Sequence, residues 1–119
     1  MVIAFGADHG GFLLKQHLIQ HVRSHDHEVL DLGTDSQRSV DYPEFAAAVG
    51  GVVARGQAER GILICGTGIG VSMSANRIPG VRAALCTNAY MARMAQEHND
   101  AQILCLGARV IGEGLAVSG

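Results

Sequence analysis

Five short apolar runs punctuate the chain: Val2–Phe5, Glu28–Leu32, Gly61–Cys65, Val81–Cys86 and Ile103–Leu106. Most are continuous rather than alternating, the pattern of strands buried on both faces of a parallel sheet. The intervals leave room for helices. Over Phe12–Arg23, Phe12, Leu18, Ile19 and Val22 share one helical face, with Gln16, Gln20 and Arg23 on another. Pro43 suits a first helical turn with Asp41 as its cap, and that helix runs through Ala46–Val53 to a stop near Gly56. Gly70–Asn76 predicts a short helix closed by Pro79-Gly80. Asn88–Glu97 predicts another, with Ala89, Met91, Ala92 and Met94 as core candidates. The order is β-α-β-α-β-α-β-α-β. It predicts an α/β fold, a three-layer Rossmann-like sandwich with a five-stranded parallel sheet, right-handed crossovers and helices on both faces. Residues 1–119 read as a single domain without repeat, linker or low-complexity tract.

Composition narrows the function classes. Apolar residues at 48% and charged residues at 17% exclude intrinsic disorder. The net charge of −2 and 4% aromatic content leave neither a basic surplus nor stacking platforms for nucleic acid. No apolar run reaches the roughly 18 residues of a membrane span, and the N-terminus lacks the basic segment and cleavage site of a signal peptide. Three cysteines at irregular spacing argue against a disulfide framework and for a reducing, cytoplasmic setting. Glycine is the informative excess, at 16 of 119 residues and roughly twice its average usage.

Open parallel sheets bind ligands outside the carboxyl ends of their strands. The segments expected there are Gly6-Ala7-Asp8-His9-Gly10-Gly11, Gly33-Thr34, Cys65-Gly66-Thr67-Gly68-Ile69-Gly70 and Gly107-Ala108-Arg109. The third is the strongest: a thiol followed by alternating glycines that open a helix. Its backbone N–H groups can face an anion, and the same field favours the thiolate of Cys65, a usable base or nucleophile. The plainer alternative is a buried strand-end cysteine beside an ordinary turn. Val71 stands where a dinucleotide fingerprint needs glycine, and the only lysine, Lys15, excludes a triphosphatase phosphate loop.

Asp8 and His9 can orient hydroxyls, exchange protons or hold a phosphate; alternatively Asp8 caps a helix at Gly10 and His9 is merely exposed. His98-Asn99-Asp100 lies between a helix end and the last strand, where a histidine is also ordinary dipole chemistry. Arg109 is a phosphate candidate or a surface ion-pair partner. His17, His21 and His25 recur at four-residue spacing beside polar glutamines, with no cysteine or acid to complete a zinc set. Cys105 reads as core, Cys86 ends a strand with no glycine loop after it, and the methionines read as packing.

Together these segments resemble the ribose-5-phosphate isomerase B family, which includes allose- and galactose-6-phosphate isomerase subunits. The matching stretches are Ile3–Gly11, Asp41-Tyr42-Pro43, Gly61–Gly70, Glu97-His98-Asn99-Asp100 and Leu106–Gly112, in order and at the family's spacing. The resemblance implies interconversion of ribose 5-phosphate and ribulose 5-phosphate in carbohydrate metabolism. It implies Cys65 as the proton-transferring base, assisted by Thr67, and His98 as the acid that opens the sugar ring. Asp8, His9, Tyr42, Gly66, Thr67, Gly68, Ile69, Gly70, Asn99 and Arg109 match substrate-binding positions. It further implies no metal or organic cofactor, and a homodimer or homotetramer whose subunits share each active site. The family continues as a C-terminal helix and tail carrying further arginines, and at Ala116-Val117-Ser118-Gly119 that helix has barely begun.

Alternatives of other kinds remain at this point. One is an allose- or galactose-6-phosphate isomerase, although Cys65 and Thr67 set the chain apart from the subunit type lacking the thiol. Another is a non-catalytic sugar-phosphate-binding protein or partner subunit, which an assay on ribose 5-phosphate separates from an enzyme.

Overall fold

A computed structural model describes residues 1–33 and 42–110. The strands are β1 (Val2–Ala7), β2 (Glu28–Asp31), β3 (Arg60–Cys65), β4 (Ala83–Leu85) and β5 (Ile103–Gly107), and the helices are α1 (Phe12–Ser24), α2 (Tyr42–Ala54), α3 (Ile69–Ala75) and α4 (Ala89–Asn99). Asp41, the expected cap of the second helix, lies outside the described residues, as does the chain beyond Val110.

All strand pairs are parallel, in the order β2-β1-β3-β5-β4. That order fixes the layers. The connections β1→β2 and β4→β5 step toward the β2 edge, whereas β2→β3 and β3→β4 step away from it. Crossovers of a single hand must then place α1 and α4 on one face and α2 and α3 on the other. The packing follows: Leu14, Leu18, Ile19, Ala92 and Ala95 meet Ile3, Phe5 and Ile64 on one face. Phe45, Val49, Val71 and Ala75 meet Ala4, Leu63, Ile103 and Cys105 on the other. Phe5, Leu63, Ile64 and Ile103 are fully buried on the three central strands, each contributing about 1.5–3 kcal/mol from burial.

The outer strands depart from the expectation of two buried faces. β2 is mostly exposed, with Glu28 and Asp31 at its ends, so it forms an open edge rather than part of the core. β4 is three residues long. Asn76 covers part of it, donating from Nδ2 to the Ala83 carbonyl at 2.9 Å and accepting from the Ala83 N–H at 2.8 Å, as a neighbouring strand would. In α4 the buried residues are Ala92 and Ala95, while Met91, an expected core residue, is exposed.

The position of the site also follows from the order. The chain turns one way after β1 and the other way after β3, although these strands are neighbours. Their following segments leave toward opposite faces, which opens a crevice at the carboxyl ends of β1 and β3.

Candidate active site at the carboxyl ends of β1, β3 and β5

β3 delivers Cys65 to the crevice as its last residue, nearly buried among side chains of the α2–α3 face. The chain then turns so sharply that the Gly68 N–H donates to Cys65 Sγ at 3.1 Å. Gly68 has φ +83°, a left-handed conformation in which glycine meets no Cβ penalty. The Gly68 N–H is a donor aimed directly at the sulfur. Thr67, exposed at the tip, accepts from the Ile69 N–H through Oγ1 at 3.2 Å. α3 has only seven residues, so its macrodipole is small. An anion here could draw only on individual N–H groups of the loop and first turn, of which those of Gly68 and Ile69 already donate to Cys65 and Thr67.

β5 supplies the opposite wall. Cys65 pairs with Gly107 in the sheet register. The Ala108 N–H donates to the Cys65 carbonyl at 2.8 Å and the Arg109 N–H to the Gly66 carbonyl at 3.0 Å. The approach is close: a Cβ on Gly107 would fall 2.6 Å from the Thr67 carbonyl carbon and oxygen. Arg109 arches over the glycines. Its Nη1 would stand 3.5 Å from a Cβ on Gly66 and its Nη2 4.0 Å from one on Gly10. The guanidinium therefore lies between the β1 turn and the β3 loop, where a phosphate could meet it.

β1 closes the third side. The Asp8 N–H donates to the Ile64 carbonyl at 3.1 Å, tying the two strand ends together. Asp8 Oδ1 accepts from the Gly11 N–H at 3.0 Å and so caps a single 3-10 turn, His9–Gly11, that leads into α1. The capping alternative is thus real, and it uses one carboxylate oxygen. His9 lies in that turn. Tyr42 opens α2 at the same end of the sheet.

His98 and Asn99 are elsewhere. They occupy the exposed last turn of α4, which ends at Asp100 with φ +50°. The Asn99 carbonyl accepts from Arg82 Nη1 at 3.1 Å, just ahead of β4. This is the amino-terminal end of the sheet, opposite Cys65 and Gly107. β5 alone separates the ends by roughly 13 Å, at about 3.3 Å per residue. One copy of the chain therefore gathers Asp8, Cys65, Gly66, Thr67, Gly68, Ile69, Gly70 and Arg109, but not His98 or Asn99.

The remaining candidates sort clearly. Cys105 is wholly buried, and burial, with smaller contributions from the sulfurs of Cys65 and Cys86, pushes its thiol from 9.0 up to about 12. Burial also raises Cys86. The His21 and His25 rings sit 4.6 Å apart, and among the described residues no cluster of three or more His, Cys, Asp or Glu could hold a metal ion. Sequence reasoning missed Gly107 as a steric requirement, although a glycine ending an apolar run was a signal. It also missed Lys15, which lies three residues after Phe12 and before Leu18 on the apolar stripe of α1 and is fully buried.

A profile described as Ribose/Galactose Isomerase matches residues 3–118. The chain belongs to this family. It is 46% identical over 114 residues to ribose-5-phosphate isomerase B of Escherichia coli (strain K12), covering 96% of this chain and 76% of that protein. The galactose-6-phosphate isomerase subunit LacB of Clostridium acetobutylicum is 40% identical over 115 residues, covering 97% of this chain and 66% of the subunit. Among solved structures, Clostridium thermocellum ribose-5-phosphate isomerase B is 53% identical with a TM-score of 0.97, covering 98% of this chain and 79% of that one. The type B ribose 5-phosphate isomerase of Trypanosoma brucei is 45% identical with a TM-score of 0.94, covering 98% and 80%. The family's fold is the five-stranded parallel sandwich described above.

Proposed function

We infer that this chain is an aldose–ketose isomerase that interconverts ribose 5-phosphate and ribulose 5-phosphate through ring opening and an enediolate. The observation that carries the reading is Cys65 at the start of a glycine loop, its sulfur held by a backbone N–H and the next residue, Gly66, overlain by Arg109. Relatives named ribose-5-phosphate isomerase B at 46% and 53% identity support the sugar.

The chemistry demands such a site. A proton on the carbon next to a sugar carbonyl is very weakly acidic, so its removal needs a base and donors for the enediolate oxygen. The Cys65 thiolate takes the proton from carbon 2 of the open aldose and returns it to carbon 1. N–H groups of the Gly66–Gly70 loop hold the oxygen anion, and the Thr67 hydroxyl donates beside them. Arg109 and His9 hold the phosphate, while Asp8, Tyr42 and Asn99 orient the sugar hydroxyls. Pentoses are largely cyclic, and His98 protonates the ring oxygen to open them. No redox change occurs, which agrees with the absent dinucleotide fingerprint.

His98 and Asn99 reach this site from a second copy of the chain, because their own copy carries them at the far end of the sheet. On this reading the enzyme is a homodimer, or a homotetramer built from two such dimers, with shared sites. A reducing compartment keeps a thiol base free, which supports a cytoplasmic setting as part of this reading.

The direct test supplies ribose 5-phosphate to the purified protein and follows ribulose 5-phosphate. Turnover is expected. The LacB relative motivates a parallel assay on galactose 6-phosphate; turnover of that sugar in place of ribose 5-phosphate would transfer the reading to the hexose, and turnover of neither would contradict catalysis.

A further inference from the structure

Lys15 is the only lysine in the chain and its side chain is wholly buried. Burying an ammonium is costly unless partners replace water, and a well-packed apolar residue would usually stabilise such a position at least as well. The partners of Lys15 show what it joins. Its Nζ donates to Asp31 Oδ1 at 2.6 Å and to the Gly33 carbonyl at 2.8 Å, and stands 5.4 Å from the centre of the Phe12 ring. Asp31 ends β2, level with Phe5 of β1. Gly33 lies against α2, where its Cβ would meet Phe45 Cβ at 3.2 Å. Phe45 sits in the first turn of α2, three residues after Tyr42. Lys15 itself is one turn along α1 from the Asp8–Gly11 segment. One ammonium thus links the helix rooted in the β1 turn, the end of β2 and the start of α2.

We propose that Lys15 is a positioning residue of the isomerase site: by gripping Asp31 and the Gly33 carbonyl, it fixes the first turn of α2, and with it Tyr42, relative to the Asp8–Gly11 turn. The proposal rests on the reading of Tyr42 as a sugar-side residue. Cys65 and Thr67 hang from β3, outside this chain of contacts, so sugar binding depends on Lys15 more than proton transfer does.

Steady-state kinetics on ribose 5-phosphate, with Lys15→Met and Asp31→Asn beside the wild type and well below each unfolding midpoint, test it. Lys15→Met is expected to raise KM about tenfold or more while kcat stays within about threefold. Asp31→Asn keeps an acceptor for Nζ but loses the charge, and an intermediate rise in KM is expected. KM within about twofold of wild type in both variants, whatever their stability, would overturn the proposal and leave Lys15 a purely structural residue. So would a loss confined to kcat. Should Lys15→Met fail to fold, Asp31→Asn, with its side chain a third exposed at 34%, decides on the same criterion. Absent wild-type turnover removes the functional reading and this proposal together, whereas wild-type turnover with unchanged KM removes the proposal alone.

Discussion

Two cysteines on adjacent strands show how environment assigns chemistry to one side chain type. Cys65 ends its strand with an N–H pointed at its sulfur, whereas Cys105 is sealed in the core and kept neutral by burial. Cys65→Ala is expected to lower kcat by roughly 10²- to 10⁴-fold, with the fold and most phosphate affinity retained; steady-state kinetics with a phosphate-binding titration checks this. Cys105→Ala is expected to cost stability first, by about 1 kcal/mol for a small core truncation. Its second effect concerns pH. The folded thiol titrates near 12 and the unfolded one near 9.0, so between these values the unfolded chain has released a proton that the folded chain retains. The stability this group contributes is complete below the lower value and declines as pH rises. Denaturant unfolding of the wild type should lose about 2 kcal/mol from this group between about pH 8 and pH 10.5, a loss absent in Cys105→Ala. Parallel declines in both proteins would contradict the assignment. At this scale the sequence was informative about types and not about surroundings. The glycines after Cys65 marked it as reactive, but nothing in the run Ile103–Leu106 distinguished a sealed thiol from an accessible one. Lys15 was legible in principle, because a lysine centred on an apolar stripe must find partners. Those partners lie on β2 and beyond, distant in sequence.

Among the elements, the loop after β3 works because β5 lies against it. The Gly107 backbone approaches Thr67 so closely that any side chain there must displace backbone rather than a flexible tip. Gly107→Ala is expected to destabilise the protein by about 1–3 kcal/mol and to lower kcat by moving the loop's N–H groups; the urea midpoint and kcat measured together test it, and near-wild-type values of both would contradict the close packing. The apolar runs located the central β1, β3 and β5 because parallel strands buried on both faces are continuous in hydrophobicity, and they marked the outer β2 and β4 without that burial. The order was not legible. Nothing local in Val81–Cys86 or Ile103–Leu106 says that β5 inserts between β3 and β4; that follows from which faces the helices bury. For the same reason the exposed β2 and the three-residue β4 read from sequence as longer and more buried than they are.

For the whole molecule, the separation of His98 and Asn99 from Cys65 matters most. The sequence placed His98 between a helix end and a strand start, and the parallel topology makes that the end of the sheet away from Cys65. If His98 and Asn99 serve the site as proposed, a complete site draws on two chains, each lending the end of α4 to its neighbour's crevice. Cys65→Ala and His98→Asn, each purified and each nearly inactive alone, are mixed under conditions that exchange subunits. Random pairing should restore about a quarter of wild-type activity, because half the dimers are mixed and each mixed dimer has one intact site. Activity that stays at the level of the separate variants after proven exchange would contradict shared sites built from Cys65 of one chain and His98 of another.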